Sequence, residues 1–249
     1  LLTGRVKNYP EQAGAYPDND RTVSREELAI QARAAAEYKK NSPWNTKKLL
    51  STREIWTIGI GWGLPMLAAV GIMSQLTLAL VFYGHDFMFG IILLSSMWPV
   101  GVLGNYLGGV IDEKFGTKAV SYMVVILEII ATTIILAGGT SKTMASIGVA
   151  LFMFTISAGT NVTMSITTTV FGRDDFENAW PIVSVFNKVL MSSGPFVIAL
   201  FAQASYNIAF VSVIIMAAVA LVLMIFTPNR CITSQDKADL KKNEMMQAE

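Results

Sequence analysis

Beyond residue 53 the chain is written in long apolar runs separated by short charged breaks. Six runs, over about 54–80, 87–111, 117–137, 142–170, 179–205 and 208–226, each reach the roughly 20 residues a helix needs to cross a bilayer. The first carries Gly59, Gly61, Gly63, Pro65 and Gly71 and is expected to bend. The second is interrupted at Trp98-Pro99, and the third holds Glu128 near its middle. The fourth is long enough to require tilt or a non-helical end. The fifth carries Lys188 and Gly194-Pro195; the sixth has no charge and stops at Pro228. The pattern predicts an all-α membrane protein, a six-transmembrane-helix bundle over 54–227.

The flanks read differently. Residues 1–23 are polar, with two prolines and two glycines, and show no helical or strand period. Ser24-Arg25-Glu26-Glu27 has the form of a capping box. It opens a segment of strong helix formers reaching about Lys40, whose thin apolar stripe of Leu28, Ala32, Ala35 and Ala36 suits a surface helix. Asn41-Ser42-Pro43-Trp44 ends it. Lys47, Lys48 and Arg53, interleaved with Trp44, Leu49, Leu50 and Trp56, then form an interfacial stretch with anchors at headgroup depth. The expected organisation is a cytoplasmic segment over 1–53, the bundle over 54–227 and a charged tail over 228–249.

Composition supports a bilayer as partner. Hydrophobic residues make up 53% of the chain and charged residues 15%, against about 25% charged in soluble domains. One cysteine, Cys231, excludes an internal disulfide framework, and one histidine, His85, with no Cys/His cluster excludes a conventional zinc site. Lysine and arginine gather in alternate breaks: Lys39, Lys40, Lys47, Lys48 and Arg53 before the first run, Lys114 and Lys118 after the second, Arg173 after the fourth, and Arg230, Lys237, Lys241 and Lys242 in the tail. The intervening breaks contain only Lys142. By the positive-inside rule both ends of the segment face the cytoplasm.

The break between the second and third runs, within Gly101–Lys118 (GVLGNYLGGVIDEKFGTK), resembles the signature loop of the major facilitator superfamily, roughly G-x-x-x-D-[RK]-x-G-x-[RK]-[RK]. With Glu113 in the acidic place, Gly109, Lys114, Gly116 and Lys118 fall in register and Thr117 replaces a basic residue; with Asp112 there, one residue intervenes before Gly116. A plain positive-inside turn is the simpler alternative. Phe171-Gly172-Arg173-Asp174-Asp175-Phe176 is similar to the F-G-R-x-x-[FY] link of oxalate/formate-type and monocarboxylate-type transporters, and Tyr9–Asn19 resembles the start of their central cytoplasmic loop. The resemblance implies the C-terminal six-helix half of such a transporter. An N-terminal half would be its partner, Leu1-Leu2 would end a preceding helix, and the bacterial inner membrane would be its location.

The resemblance also directs attention to Lys188. An intramembrane charge costs about 2.5–3.5 kcal/mol on insertion scales unless it meets water, a partner or a substrate. Lys188 lies about 13 Å from the end of its run, far for snorkelling, and the resemblance implies that it binds a substrate carboxylate. The arginine that oxalate-type members carry in the eighth helix has no counterpart in the second run, so the one cation suits a monocarboxylate or needs help from the absent half. Gln75, Ser157, Asn161, Ser165 and Asn187 are further candidate binding groups; Ser157, Asn161, Ser165 and Thr168 share one helical face. Bonds between helices are the competing role for them. Gly109, Asp112, Glu113, Lys114, Gly116, Lys118 and Arg173 would form the gating loops. Glu128 is either a proton carrier or an uncharged, hydrogen-bonded structural carboxyl, the second being favoured. The methionine- and phenylalanine-rich character of the runs reads as lipid-facing.

No G-x-S-x-G, H-E-x-x-H or G-x-x-x-x-G-K-[ST] pattern is present, so neither an enzyme nor an ATP-driven pump is expected. Neither cofactor, metal nor nucleic acid is expected as a ligand. The resemblance implies a secondary transporter of small organic anions, carboxylates among them, working by antiport or proton-coupled symport. A non-transporting membrane sensor or scaffold that keeps the fold is the alternative.

Overall fold

The computed structural model describes Tyr38 and residues 42–233, apart from the side chain of Asp174. The expected surface helix over 24–40 and the Tyr9–Asn19 stretch lie outside these residues, as does the tail beyond 233. The chain divides into two units, and the larger, Trp44–Gln235, contains the helices that follow. These are α1 (Thr46–Ser51), α2 (Arg53–Phe82), α3 (Phe87–Ser96), α4 (Trp98–Phe115), α5 (Thr117–Gly138), α6 (Lys142–Gly159), α7 (Val162–Ala204) and α8 (Tyr206–Phe226).

Six segments are long and apolar enough to cross a membrane: Arg53–Phe82, Phe87–Phe115, Thr117–Gly138, Lys142–Arg173, Asp175–Ala204 and Tyr206–Phe226, called spans 1 to 6. Helices are the natural outcome for such runs, because each satisfies its own backbone within the segment. No strand occurs among the described residues.

The breaks follow local chemistry. Asn45, Asp86 and Ser205 each accept a backbone N–H at the start of α1, α3 and α8. Span 2 is broken at Met97, with Pro99 in the first turn of α4, as the Trp98-Pro99 pair predicts. Span 4 changes helix at Thr160 and Asn161, a break near its middle rather than the tilt or non-helical end its length suggests. The Arg173 break differs from expectation. It is a single left-handed residue, Gly172 (φ 68°), and helix resumes at once, so span 5 begins at Asp175 rather than near 179. Gly116, at φ 83°, ends α4 in the same left-handed region. Span 1 remains one helix despite Pro65.

For helices apolar enough to cross a membrane, packing in a bilayer depends on close approach and polar bonds rather than on hydrophobic drive. Gly59 faces Phe186, Gly63 faces Leu190 and Gly71 faces Ile198, so spans 1 and 5 run parallel in one register. Gly101, Gly104 and Gly108 meet Ser157, Phe154 and Ala158, which sets span 2 parallel to span 4. Gly61 packs on Leu223 of span 6, and Gly148 on Ile135 of span 3.

The buried core has two parts stacked along the bundle. One gathers around Trp44, Leu49, Ile58, Trp62, Val124, Val125, Phe171 and Met224, at the end that carries Arg53, Lys118 and Arg173. The other gathers around Ile72, Leu76, Ala131, Ile135, Phe152, Ile198 and Phe210, toward the opposite end. Phe152, Phe171 and Phe210 are fully buried. These three depart from the reading of the phenylalanines as lipid-facing, whereas Phe82, Phe87, Phe115, Phe196, Phe201 and Phe226 are exposed on the bundle surface.

Candidate functional site

The Asp112 turn is built from side chains on three spans. Helix α4 ends at Phe115, and the Gly116 N–H returns to the Asp112 carbonyl. The carboxylate of half-buried Asp112 accepts from the Thr117 hydroxyl (2.7 Å), and that hydroxyl also meets Ser165 of span 4 (2.8 Å). Asp112 is therefore the acid that engages the bundle, while Glu113 and Lys114 stand exposed. The partner is a hydroxyl, not Lys114 or Arg173; Arg173 is also exposed. A Cβ on Gly109 would meet nothing within 4 Å.

Lys118 reaches another element. Its ammonium donates to the Ile225 carbonyl at the end of span 6 (3.4 Å), and Arg53 donates to the adjacent Phe226 carbonyl (3.4 Å). Two cations thus cover carbonyls at the negative end of a helix that has no basic residue of its own.

The same end is closed by a strap. The Ile232 N–H donates to the Val170 carbonyl (2.8 Å) and the Thr233 hydroxyl to the Phe171 carbonyl (2.9 Å). Gly172 interrupts the helix just beyond these two carbonyls. Phe171 packs edge-on against Trp44, and Lys48 lies 4.2 Å from the Trp44 ring centre. At the opposite end the Tyr83 hydroxyl donates to Asn207 Oδ1 (2.7 Å), and burial raises its pKa, keeping the donor protonated. His85 Nε2 meets the Gly139 carbonyl (2.6 Å), and a carbonyl can only accept, so that nitrogen carries the proton.

Lys188 lies on the exposed stripe of span 5 with Val185, Val189, Ser192 and Phe196. Counted from Asp175 it is about 20 Å along the helix, deeper than the sequence suggests. Among the described residues no hydrogen bond or ion pair engages its ammonium. Neighbouring Asn187 points inward. It is buried and its amide donates to Thr163 of span 4 at a long 3.4 Å.

The other amides have separate settings. Exposed Asn161 donates to Asn105 of span 2 (3.4 Å), and half-buried Ser157 packs on Gly101. Ser157, Asn161 and Ser165 do share a face, and that face meets span 2 and the start of span 3; Thr168 is exposed and bonds back to Met164. Gln75, half-buried, lies four residues beyond Gly71. In the register of spans 1 and 5 that is about 20 Å further along the bundle than Lys188. Lys188 and Gln75 cannot touch one small anion in this conformation.

Glu128 is buried, and its Oε1 has no hydrogen-bond partner. It lies on span 3 between the two parts of the core, one turn beyond Val124 and Val125 and one turn before Ala131. No ion pair joins it to exposed Lys188.

Several contributing residues escaped the sequence reading. Asn105 is an amide inside an apolar run, a signal equal to that of Asn161. Asp175 is fully buried at the start of span 5. Trp62 donates to Ser121 (3.0 Å) in the core. No family model matches the chain, and no curated protein matches it.

Proposed function

We propose that this chain forms one six-helix half of a secondary transporter for small organic anions, related to the major facilitator superfamily and working by alternating access. The observation that carries the reading is Lys188. It is the sole charge in span 5 beyond Glu177, it is exposed on the bundle surface, and among the described residues no carboxylate pairs with it. An intramembrane ammonium so placed calls for an anion or water at its head.

The exposure of the spans supports a second bundle as partner. The apolar cores of spans 2 and 5 are less buried than those of the other spans. Trp98, Leu103 and Tyr106 of span 2 and Val185, Val189 and Phe196 of span 5 stand well exposed. An N-terminal six-helix half seated against these faces would place Lys188 between two bundles that rock about a shared site. A single cation in the span interiors, with the other basic residues of the described spans all within two residues of a span end, favours a monocarboxylate. Gly116 and Gly172, both left-handed, would be the hinges on the proposed cytoplasmic side.

The test is counterflow of a panel of labelled mono- and dicarboxylates into proteoliposomes containing the full-length protein. Accumulation of at least one monocarboxylate is expected. Absence of counterflow for the whole panel would overturn the reading.

A further inference from the structure

The end of span 6 is capped by more charge than the cap requires. Its last four carbonyls all have partners. Leu223 accepts from the Thr227 hydroxyl (3.3 Å) and Met224 from the Thr227 N–H (3.3 Å). Ile225 accepts from Lys118 and Phe226 from Arg53, each at 3.4 Å. One neutral threonine thus serves two carbonyls, and two full cations serve the other two. The carboxylate of Glu54 lies 3.4 Å from Arg53, and among the described residues no carboxylate pairs with Lys118. A helix end carries only about half a negative charge, so Glu54 and the end of span 6 together leave a local surplus of about half a positive charge.

Donors are in surplus as well. A guanidinium has five N–H groups and an ammonium three. Arg53 engages Glu54 and Phe226 through Nη2 alone, and Lys118 makes one bond. All three contacts are 3.4 Å long, whereas charge-assisted bonds to an anionic oxygen close to about 2.7–2.9 Å. The two accepting carbonyls belong to consecutive residues, which places the guanidinium and the ammonium within about 10 Å of each other. One anion can therefore lie against both. Arg53 is exposed and Lys118 half-buried.

Below the cations the surface is apolar. Ile215, Val219, Val222 and Phe226 are exposed and follow one another at helical spacing along span 6, with exposed Ile225 beside them. From Ile215 to Phe226 the stripe runs about 16 Å, close to half of the roughly 30 Å hydrocarbon core. A cationic head above an apolar stripe one leaflet deep is the complement of an anionic phospholipid. A soluble anion would use the cations and leave the stripe bare. On the orientation that the lysine and arginine distribution predicts, this end meets the cytoplasmic leaflet, where anionic lipids set the surface potential.

We infer that Arg53 and Lys118 form a binding site for the phosphodiester of an anionic glycerophospholipid, whose acyl chain lies along Ile215, Val219, Val222 and Phe226. The inference requires that the bundle lie in a bilayer and does not require that it transport. Each cation keeps its carbonyl with one N–H and offers others to the phosphate. The lipid then ties the starts of spans 1 and 3 to the end of span 6. A zwitterionic lipid brings its own cation to the same place and gains less.

The test uses the full-length protein in detergent at about 0.15 M salt, where exposed charges more than about 8 Å apart are largely screened. Thermal unfolding is followed as phosphatidylglycerol, phosphatidylcholine with the same chains, or inorganic phosphate is added. Phosphatidylglycerol alone should raise the midpoint, and the rise should saturate. Equal shifts by the two lipids would overturn the inference. So would an equal shift by inorganic phosphate, which would mark a site for soluble anions. These comparisons need no variant to fold. Arg53→Gln and Lys118→Gln each retain an amide N–H for the carbonyls, and each should weaken phosphatidylglycerol about tenfold or more. Lys47→Gln removes an exposed cation before span 1 and should change the affinity by less than about twofold. Equal losses in all three would assign the effect to net charge and overturn the site, as would unchanged affinity in both Arg53→Gln and Lys118→Gln. If the lipid shift appears and no carboxylate moves, the transport reading falls and the lipid site stands. If counterflow persists without the shift, the reverse holds.

Discussion

Gly71 and Gly194 lie backbone to backbone where span 1 passes span 5. A Cβ on Gly71 would come within 2.6 Å of the Gly194 carbonyl oxygen, and one on Gly194 would collide with the Leu67 carbonyl and lie 3.0 Å from the Gly71 nitrogen. Each glycine is there because the other helix leaves no room. Gly71→Ala and Gly194→Ala should each destabilise the bundle by about 1–3 kcal/mol, because backbone rather than a side-chain tip must move. Gly109→Ala is the control: open space surrounds it, and removing a helical glycine should be neutral or stabilising by about 0.5–1 kcal/mol. Thermal unfolding in detergent measures all three. Equal loss at Gly109 and Gly194 would show that the close approach is not what sets stability.

The Asp112 turn makes an asymmetric forecast. Asp112→Ala removes an acceptor from the buried Thr117 hydroxyl, which keeps Ser165 as a second partner. The loss should be near the low end of about 1–3 kcal/mol. Exposed Glu113→Gln should change stability by less than about 0.5 kcal/mol. In transport, Asp112→Asn should slow turnover with little effect on affinity, and Glu113→Gln should do neither. Equal slowing by the two changes would assign the turn's role to net charge rather than to the Asp112 bond.

The spans and their breaks were legible because bilayer thickness, proline and glycine act locally along the chain. Pro99 and Gly116 interrupt helices where their covalent geometry says they should. The Gly172 break was visible as a site but not in extent: one left-handed residue reverses the path, and no local pattern says that helix resumes at Asp175. Lys188 was legible as an intramembrane charge, whereas its exposure depends on which stripe of span 5 packs on span 1. Gln75 and Lys188 look equivalent in sequence as polar groups inside spans. Only the parallel register of spans 1 and 5 sets them about 20 Å apart. The Ile232 and Thr233 strap was illegible for the same reason, since it bonds to carbonyls roughly sixty positions away in the chain.

Cys231 provides the topology test. If the end bearing Arg53 and Lys118 is cytoplasmic, an impermeant maleimide should leave Cys231 unmodified in intact cells and modify it in inside-out vesicles. Its half-buried position beside Gly172 and Thr233 should make modification slow, and Thr233→Val, by removing the bond to Phe171, should speed it. Rapid labelling from outside intact cells would reverse the orientation.

Lys188 separates a binding charge from a structural one. A structural lysine needs an acidic partner, and truncating one member of a buried pair typically costs 3–5 kcal/mol because the other is stranded. Here Glu128 is buried without Lys188, and Lys188 is exposed without Glu128. Lys188→Ala should therefore leave thermal stability within about 0.5 kcal/mol of the parent, and the Lys188→Ala and Glu128→Ala stability changes should add without coupling. Carboxylate binding should behave in the opposite way: lost in Lys188→Ala, and poor in Lys188→Arg, since a planar guanidinium does not reproduce a compact ammonium. Binding measured by isothermal titration beside unfolding in the same detergent reads both quantities on one sample. A well-folded Lys188→Ala protein that binds the carboxylate normally would end the binding role. A Lys188→Ala protein that unfolds early and is rescued by Glu128→Ala would mean that the two charges meet in a conformation other than this one.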